Sequence, residues 1–240
     1  MASLAFGPKG NRLITGNTDG IVRVHDTSSA AVRKTFEGFG DCDHTVAWAP
    51  QGDLVAGGCD DGTIRLWHVD SEGPVTVLKG HDCWVSGLRF TQDGKRLLSS
   101  SHDGTVRVWS LETSEEIARL DVGEKRVNDL DLDPAERRLV TTGRDHSLRL
   151  WSYPELEPLR TFEGHTARIT SVRFDPEGKR LVSGGYDRTV VVWDVQTGAV
   201  LQRAGPWRKV VWEVRWHPDG KLLASAGGDG RIRIHPVASP

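Results

Sequence analysis

Residues 164–194 read GHTARITSVRFDPEGKRLVSGGYDRTVVVWD. A Gly-His pair opens the stretch and an alternating run follows, with apolar positions at Ile169, Val172 and Phe174. A turn at Pro176-Glu177-Gly178 leads to a second run at Leu181-Val182-Ser183. The Tyr186-Asp187-Arg188 turn then leads to a third run, Thr189 to Trp193. β-Branched and aromatic residues in short runs, punctuated by Gly, Pro and Asp, predict three strands of an antiparallel meander.

The same pattern recurs along the whole chain. Trp67, Trp109, Trp151 and Trp193 are each 42 residues apart, and the same step outward lands on His25 in IVRVHD and His235 in RIRIHP. A fixed period of this length means stacked supersecondary units. The units fall at 1–42, 43–84, 85–126, 127–168, 169–210 and 211–240. The apolar pair of strand a recurs as Leu4/Phe6, Val46/Trp48, Leu88/Phe90, Leu130/Leu132, Val172/Phe174 and Val214/Trp216. Pro-x-Gly turns close most a–b hairpins, because Pro presets φ and Gly accepts a left-handed conformation. Two copies depart from this pattern, with Gln92 in place of Pro and Glu136 in place of Gly. Strand c recurs as IVRV, TIRLW, TVRVW, SLRLW, TVVVW and RIRI. Strand d is the variable one and is expected at 31–36, 75–78, 116–120, 159–162 and 199–203.

Gly-His, the Pro-Asp-Gly-like turn, Ser-Gly-x-x-Asp and the closing Trp-Asp together resemble the WD40 repeat, over essentially all 240 residues. The resemblance implies an all-β fold, a WD40-type β-propeller of four-stranded antiparallel blades in a single domain spanning 1–240. The sixth unit lacks an evident strand d. Three outcomes follow: a six-bladed ring with a short outer edge, a fragment of a longer propeller, or closure by another chain. An open strand edge also invites self-association or strand donation at blade 6.

Composition bounds the function. Hydrophobic content of 37 % and mean hydropathy of −0.41 describe a globular chain. A formal charge of −2 argues against a dominant field for nucleic acid or a membrane surface. No apolar run is long enough to span a bilayer, and MASLAFGPKG lacks the layout of a secretory signal. Three cysteines, Cys42, Cys59 and Cys83, without CxxC spacing, fit a reducing, cytoplasmic setting.

Within a blade, the resemblance implies a buried relay of His, Ser/Thr, Asp and Trp. The set is complete in blade 3 (His81, Ser99, Asp103, Trp109) and in blade 5 (His165, Ser183, Asp187, Trp193). Such a network satisfies polar groups that would be costly to bury unpaired. A Ser/His/Asp set invites comparison with a hydrolase triad. Here it recurs at the structural period and ends on Trp, whereas a triad is a single constellation beside an oxyanion hole. The other blades are degraded: Phe39 and Gly57 in blade 2, Gly123 in blade 4, His25 in blade 1, and Trp207 with His235 in blade 6. The remaining histidines, His44 among them, are scattered without zinc spacing, and no cofactor or metal is implied. Asp129, Asp131 and Asp133 suggest calcium, but Asp131 aligns with Arg89 and Arg173 of the flanking blades. A salt-bridged wall is the better account.

Partner recognition in the resembled family clusters at the d–a loop and just before the Asp of the b–c turn. By position these are Cys42, Trp84, Arg126, Arg168 and Val210, and Thr18, Asp60, His102, Arg144, Tyr186 and Gly228. Trp84, His102, Arg126, Arg144, Arg168 and Tyr186 therefore form the candidate binding set. Trp, Tyr and Arg dominate interface hot spots, and guanidinium groups suit an acidic or phosphorylated peptide. A non-enzymatic docking scaffold is the expected function. The alternatives are a structural or regulatory portion of a larger signalling or assembly protein, and a catalytic propeller with substrate at the channel mouth.

Overall fold

The computed structural model describes residues 3–17, 19–36, 45–71, 76–123 and 126–237. They belong to two compact units, Met1–Gly123 and Glu124–Pro240. The division falls between the third and fourth repeats.

The first unit holds three four-stranded sheets. Blade 1 comprises β1 (Ser3–Phe6), β2 (Arg12–Gly16), β3 (Val22–Asp26) and β4 (Val32–Phe36). Blade 2 comprises β5 (Thr45–Trp48), β6 (Leu54–Gly58), β7 (Ile64–His68) and β8 (Thr76–Leu78). Blade 3 comprises β9 (Val85–Phe90), β10 (Arg96–Ser101), β11 (Thr105–Ser110) and β12 (Glu116–Asp121).

In the second unit, blade 4 is β13 (Val127–Leu132), β14 (Arg138–Gly143), β15 (Leu148–Ser152) and β16 (Pro158–Phe162). Blade 5 is β17 (Ile169–Phe174), β18 (Arg180–Gly185), β19 (Val190–Asp194) and β20 (Val200–Ala204). Blade 6 has three strands, β21 (Val211–Trp216), β22 (Leu222–Gly227) and β23 (Ile232–Pro236). Every pairing is antiparallel and joins strands consecutive in sequence, for example Leu181↔Trp193 and Val182↔Val192. There is no helix among the described residues. The architecture is that of a six-bladed β-propeller whose last blade is three-stranded, and the expected strands fall within a residue or two of the observed ones. Val75, expected to open a strand d, lies outside the described residues.

Alternation decides what each blade buries. In blade 5, Val182, Val190 and Val192 point to one face and pack on Trp207, Val211, Val214 and Leu223 of blade 6. Val172, Phe174, Leu181 and Trp193 point to the other and pack on Val140, Leu148, Leu150 and Phe162 of blade 4. The first unit repeats the scheme. Ile14, Val22, Val24 and Phe36 meet Val46, Val55 and Trp67, and Ala56, Ile64, Leu66 and Leu78 meet Val85, Leu88, Phe90 and Trp109. Each such side chain taken from water contributes about 1.5–3 kcal/mol. Strand b is thus apolar on both faces, whereas strand d contributes one buried residue at its end, such as Phe36, Leu78 or Phe162.

Two turns show what the repeat requires of the backbone. Gly62 lies at φ +81°, and a Cβ there would fall 2.2 Å from the His81 carbonyl oxygen, so only glycine fits. Glu136 occupies the a–b position held by glycine in the other five blades and still adopts φ +51°. The turn geometry is imposed by the hairpin, not chosen by the residue.

Candidate functional site

The Asp turn anchors one end of each blade. In blade 3, His81 Nδ1 lies 2.8 Å from Asp103 Oδ2, and His81 Nε2 lies 2.7 Å from Ser99 Oγ. Trp109 Nε1 donates to Ser99 Oγ at 2.8 Å. Blade 5 repeats this arrangement. His165 Nδ1 is 2.7 Å from Asp187 Oδ2, His165 Nε2 is 2.7 Å from Ser183 Oγ, and Trp193 Nε1 donates to Ser183 Oγ at 2.8 Å. The carboxylates also accept the turn amides. Thr105 N donates to Asp103 Oδ1 at 2.9 Å, and Thr189 N to Asp187 Oδ1 at 3.0 Å. Burial raises the pKa of Asp103 and Asp187, but bonds from the histidines, with those from Thr105, Thr166 and Thr189, outweigh it. Both carboxyls are held far below the usual range. Ser99 and Ser183 are fully buried, and their oxygens already serve an indole and an imidazole. A substrate has no path to them, so these sets hold the blade together.

The degraded blades rebuild the relay with other groups. His25 Nε2 meets Thr15 Oγ1 at 2.9 Å, and His235 Nε2 meets Ser225 Oγ at 2.8 Å, so an imidazole stands where the indole would be. Burial, helped by Arg233, lowers the pKa of His235. Blade 4 keeps Trp151 Nε1 donating to Thr141 Oγ1 at 3.0 Å. Its Asp145 turns instead to Ser147 at 2.7 Å and Arg149 at 2.5 Å. In blade 2 the Trp67 ring stacks on Phe36 at 5.4 Å, and a Cβ at Gly57 would approach that ring to 3.3 Å. Phe39 lies outside the described residues.

The three aspartates of strand a do not converge on a cation. Asp129 accepts from Leu130 N at 2.9 Å, Val172 N at 3.1 Å and the Arg173 guanidinium. Asp131 accepts from Phe174 N at 2.9 Å, and Asp133 from Arg138 Nε at 2.9 Å. Arg173 also reaches Glu213 at 3.1 Å. Desolvation lowers the pKa of this buried guanidinium, but Asp129, Glu213 and Asp131 more than offset it and hold the charge. The result is a salt-bridged wall across blades 4, 5 and 6. No group of His, Cys, Asp or Glu suited to a metal ion occurs among the described residues.

The candidate binding residues form separate groupings. In the first unit, Trp84 packs edge-on against His102 with ring centroids 4.4 Å apart, and His102 N donates to the Trp84 carbonyl at 2.9 Å. In the second unit, the Arg168 guanidinium lies over the Tyr186 ring at 4.5 Å and its Nη2 donates to Tyr186 Oη at 3.2 Å. Tyr186 in turn meets Trp212 edge-to-face at 5.6 Å. A Cβ at Gly228 would lie 3.0 Å from Trp212 Nε1, so the glycine before the blade 6 Asp seats this indole. Trp212 is the residue the sequence reading missed. It occupies a strand-a position taken by Thr170 and Asn128 in neighbouring blades, and only proximity to Tyr186 reveals it. Arg126 and Arg144 are exposed. Thr18, Cys42 and His44 lie outside the described residues. Cys83 carries an exposed free thiol.

Six antiparallel blades, two of them stitched by a complete His–Ser–Asp–Trp relay, define a repeat β-propeller protein. The family model for the WD domain, G-beta repeat matches residues 2–26, 32–68, 72–110, 115–152, 156–194 and 201–235, and the chain belongs to the WD40 repeat family. No curated protein matches the chain. WD40 propellers generally serve as protein-interaction scaffolds and are generally not catalytic.

Proposed function

We propose that the chain is a docking module for an acidic or phosphorylated peptide, received at the Arg168–Tyr186–Trp212 cluster of the second unit. One observation carries the reading: two aromatic rings and a guanidinium are held together at the loop ends of blades 5 and 6, with Tyr186 44 % exposed. Rings with few rotors bury area at small entropic cost, and a preorganised guanidinium offers directed donors. Arg126, Arg144, Arg188, Arg208 and Lys209 are exposed. The acids of the same turns are already engaged, Asp145 by Arg149, Asp187 by His165 and Asp229 by Arg233. Trp84 and His102 are a second aromatic grouping, in the first unit, that the same family logic assigns to partner contact.

The test is selection from a peptide library carrying acidic, phosphorylated and neutral members, against the native chain and against Arg168→Glu and Trp212→Ala. The expected result is enrichment of anionic peptides that is lost in both variants and weakened by added salt. Enrichment of neutral peptides, or enrichment indifferent to both substitutions, overturns the reading.

A further inference from the structure

The first unit carries a cleft of about 440 Å³ lined by residues of its first two blades, both of them four-stranded. Its charged lining is Arg12, Arg33 and Lys34 with Asp26 and Asp70, and Val24 and Val69 add apolar surface. Three cations thus share the cleft with two carboxylates, and both carboxylates are already served. Asp26 Oδ1 accepts from the Ser28 and Ser29 amides at 3.0 Å each, and its Oδ2 from Arg33 Nη2 at 2.8 Å. Asp70 accepts from Arg12 Nη1 at 3.1 Å. Each of these pairs engages one nitrogen of a guanidinium that carries five N–H donors.

The repeat shows why the cations stand here. Three repeats on, at blades 4 and 5, the counterparts of Arg12 and Lys34 are Arg138 and Arg160. Arg138 Nε donates to Asp133 at 2.9 Å and its Nη2 to the Gly178 carbonyl at 2.8 Å, so the guanidinium is held against the next blade. Arg160 donates to the Thr197 and Gln196 carbonyls at 3.1 and 2.9 Å and ties strand d to the c–d turn of blade 5. In blade 1 the counterpart of Asp133 is Gly7, and a Cβ there would press on the Trp48 indole at 3.2 Å. Without that carboxylate, Arg12 turns to Asp70, whose side chain is 77 % exposed. Such an exposed pair contributes little and is readily exchanged. Lys34 offers one nitrogen where Arg160 offers two, and it goes to the Ser71 carbonyl.

We propose that this cleft is a binding site for a small polyhydroxylated phosphate monoester, of the size of a sugar phosphate. Arg12 and Arg33 meet the phosphate with forked donors, and Lys34 adds a point charge. The dianion displaces Asp70 from Arg12. The volume is more than a bare phosphate fills and falls within the range of small-molecule sites, about 300–1,000 Å³. Asn11, which also lines the cleft, and the released Asp70 meet the hydroxyls. The site shares no residue with the Arg168–Tyr186–Trp212 cluster.

Glucose 6-phosphate, glucose and inorganic phosphate are each titrated calorimetrically at low salt into the full chain, native and as Arg12→Gln, Arg33→Gln and Arg168→Glu. Saturable binding of glucose 6-phosphate is expected, tighter than that of inorganic phosphate and absent for glucose. Either cleft substitution weakens it at least about tenfold, added salt weakens it too, and Arg168→Glu leaves it unchanged. The Arg12 and Arg33 side chains are 39 % and 62 % exposed, so their substitution leaves folding intact, which unchanged melting curves verify. Absent saturation, or an affinity indifferent to both cleft substitutions, overturns the proposal. So does loss of binding in Arg168→Glu, which would put the anion at the other cluster. Inorganic phosphate binding as tightly as the ester also overturns it, since the cleft would then hold an ion only.

Discussion

Replacing Asp187 with alanine tests whether the turn relay, and not apolar packing alone, holds a complete blade. The carboxylate accepts from His165 at 2.7 Å, Thr166 N at 3.1 Å, Thr189 N at 3.0 Å and Thr189 Oγ1 at 2.9 Å. Its side chain is 4 % exposed and that of His165 is 0 % exposed. Truncation strands a buried imidazole N–H, at about 1–3 kcal/mol, and loosens a turn that orders strands b and c. Breaking a buried pair by removing one partner costs about 3–5 kcal/mol in total. At about 2–4 °C per kcal/mol for a chain of this size, Tm falls by about 10 °C. Asp19 is the control. It holds the same place in blade 1, meets Ile21 N at 3.1 Å and Arg23 at 2.7 Å, and has 44 % of its side chain exposed. Exposed pairs contribute little, so Asp19→Ala shifts Tm far less. Calorimetry on the two variants decides the matter, and equal shifts refute the reasoning.

Two further outcomes follow from the same geometry. Because Asp103 and Asp187 are held well below their unfolded value of 3.8, their contribution is fully present above about pH 4 and is lost as pH falls toward their folded values. Asp103→Asn with Asp187→Asn is therefore expected to lower stability at pH 7 and to flatten its decline below pH 4, read by urea titration at stepped pH. Glu136→Gly relieves a left-handed residue at a turn where glycine serves in the other five blades. A gain of about 0.5–1 kcal/mol is expected in thermal unfolding, and a loss would show that the Glu136 side chain carries a contact outweighing the strain.

Much of the fold was legible because the physics repeats. The 42-residue step of Trp67, Trp109, Trp151 and Trp193 fixes where strand c ends, and the alternating pairs fix which face of strand a is apolar. The complete relays were legible for the same reason, since His165, Ser183, Asp187 and Trp193 each recur in register. What the sequence hid are relations between blades. Trp212 reads as one more strand-a residue until Tyr186, 26 positions earlier in the chain, is seen beside it. The alignment of Asp131 with Arg89 and Arg173 already favoured a salt-bridged wall over a cation site, but that the amides of Val172 and Phe174, on the next blade, bond Asp129 and Asp131 was not legible. The roles of His25 and His235 lay between these cases. The frame placed them in the Trp position, but only their bonds to Thr15 and Ser225 show that an imidazole can serve there.

The pairing of every strand with its neighbour in sequence bears on how the molecule is made. A blade can form its sheet once its own strands have emerged from the ribosome, because no strand pairing waits for a distant segment. Its apolar face is different. Val190 and Val192 have nothing to bury against until Val211 and Val214 have been synthesised, some twenty residues later. The nascent chain therefore carries a single sticky face at its growing end, handed forward from blade to blade. A pause in translation just after a strand d is where a chaperone would have the most to hold.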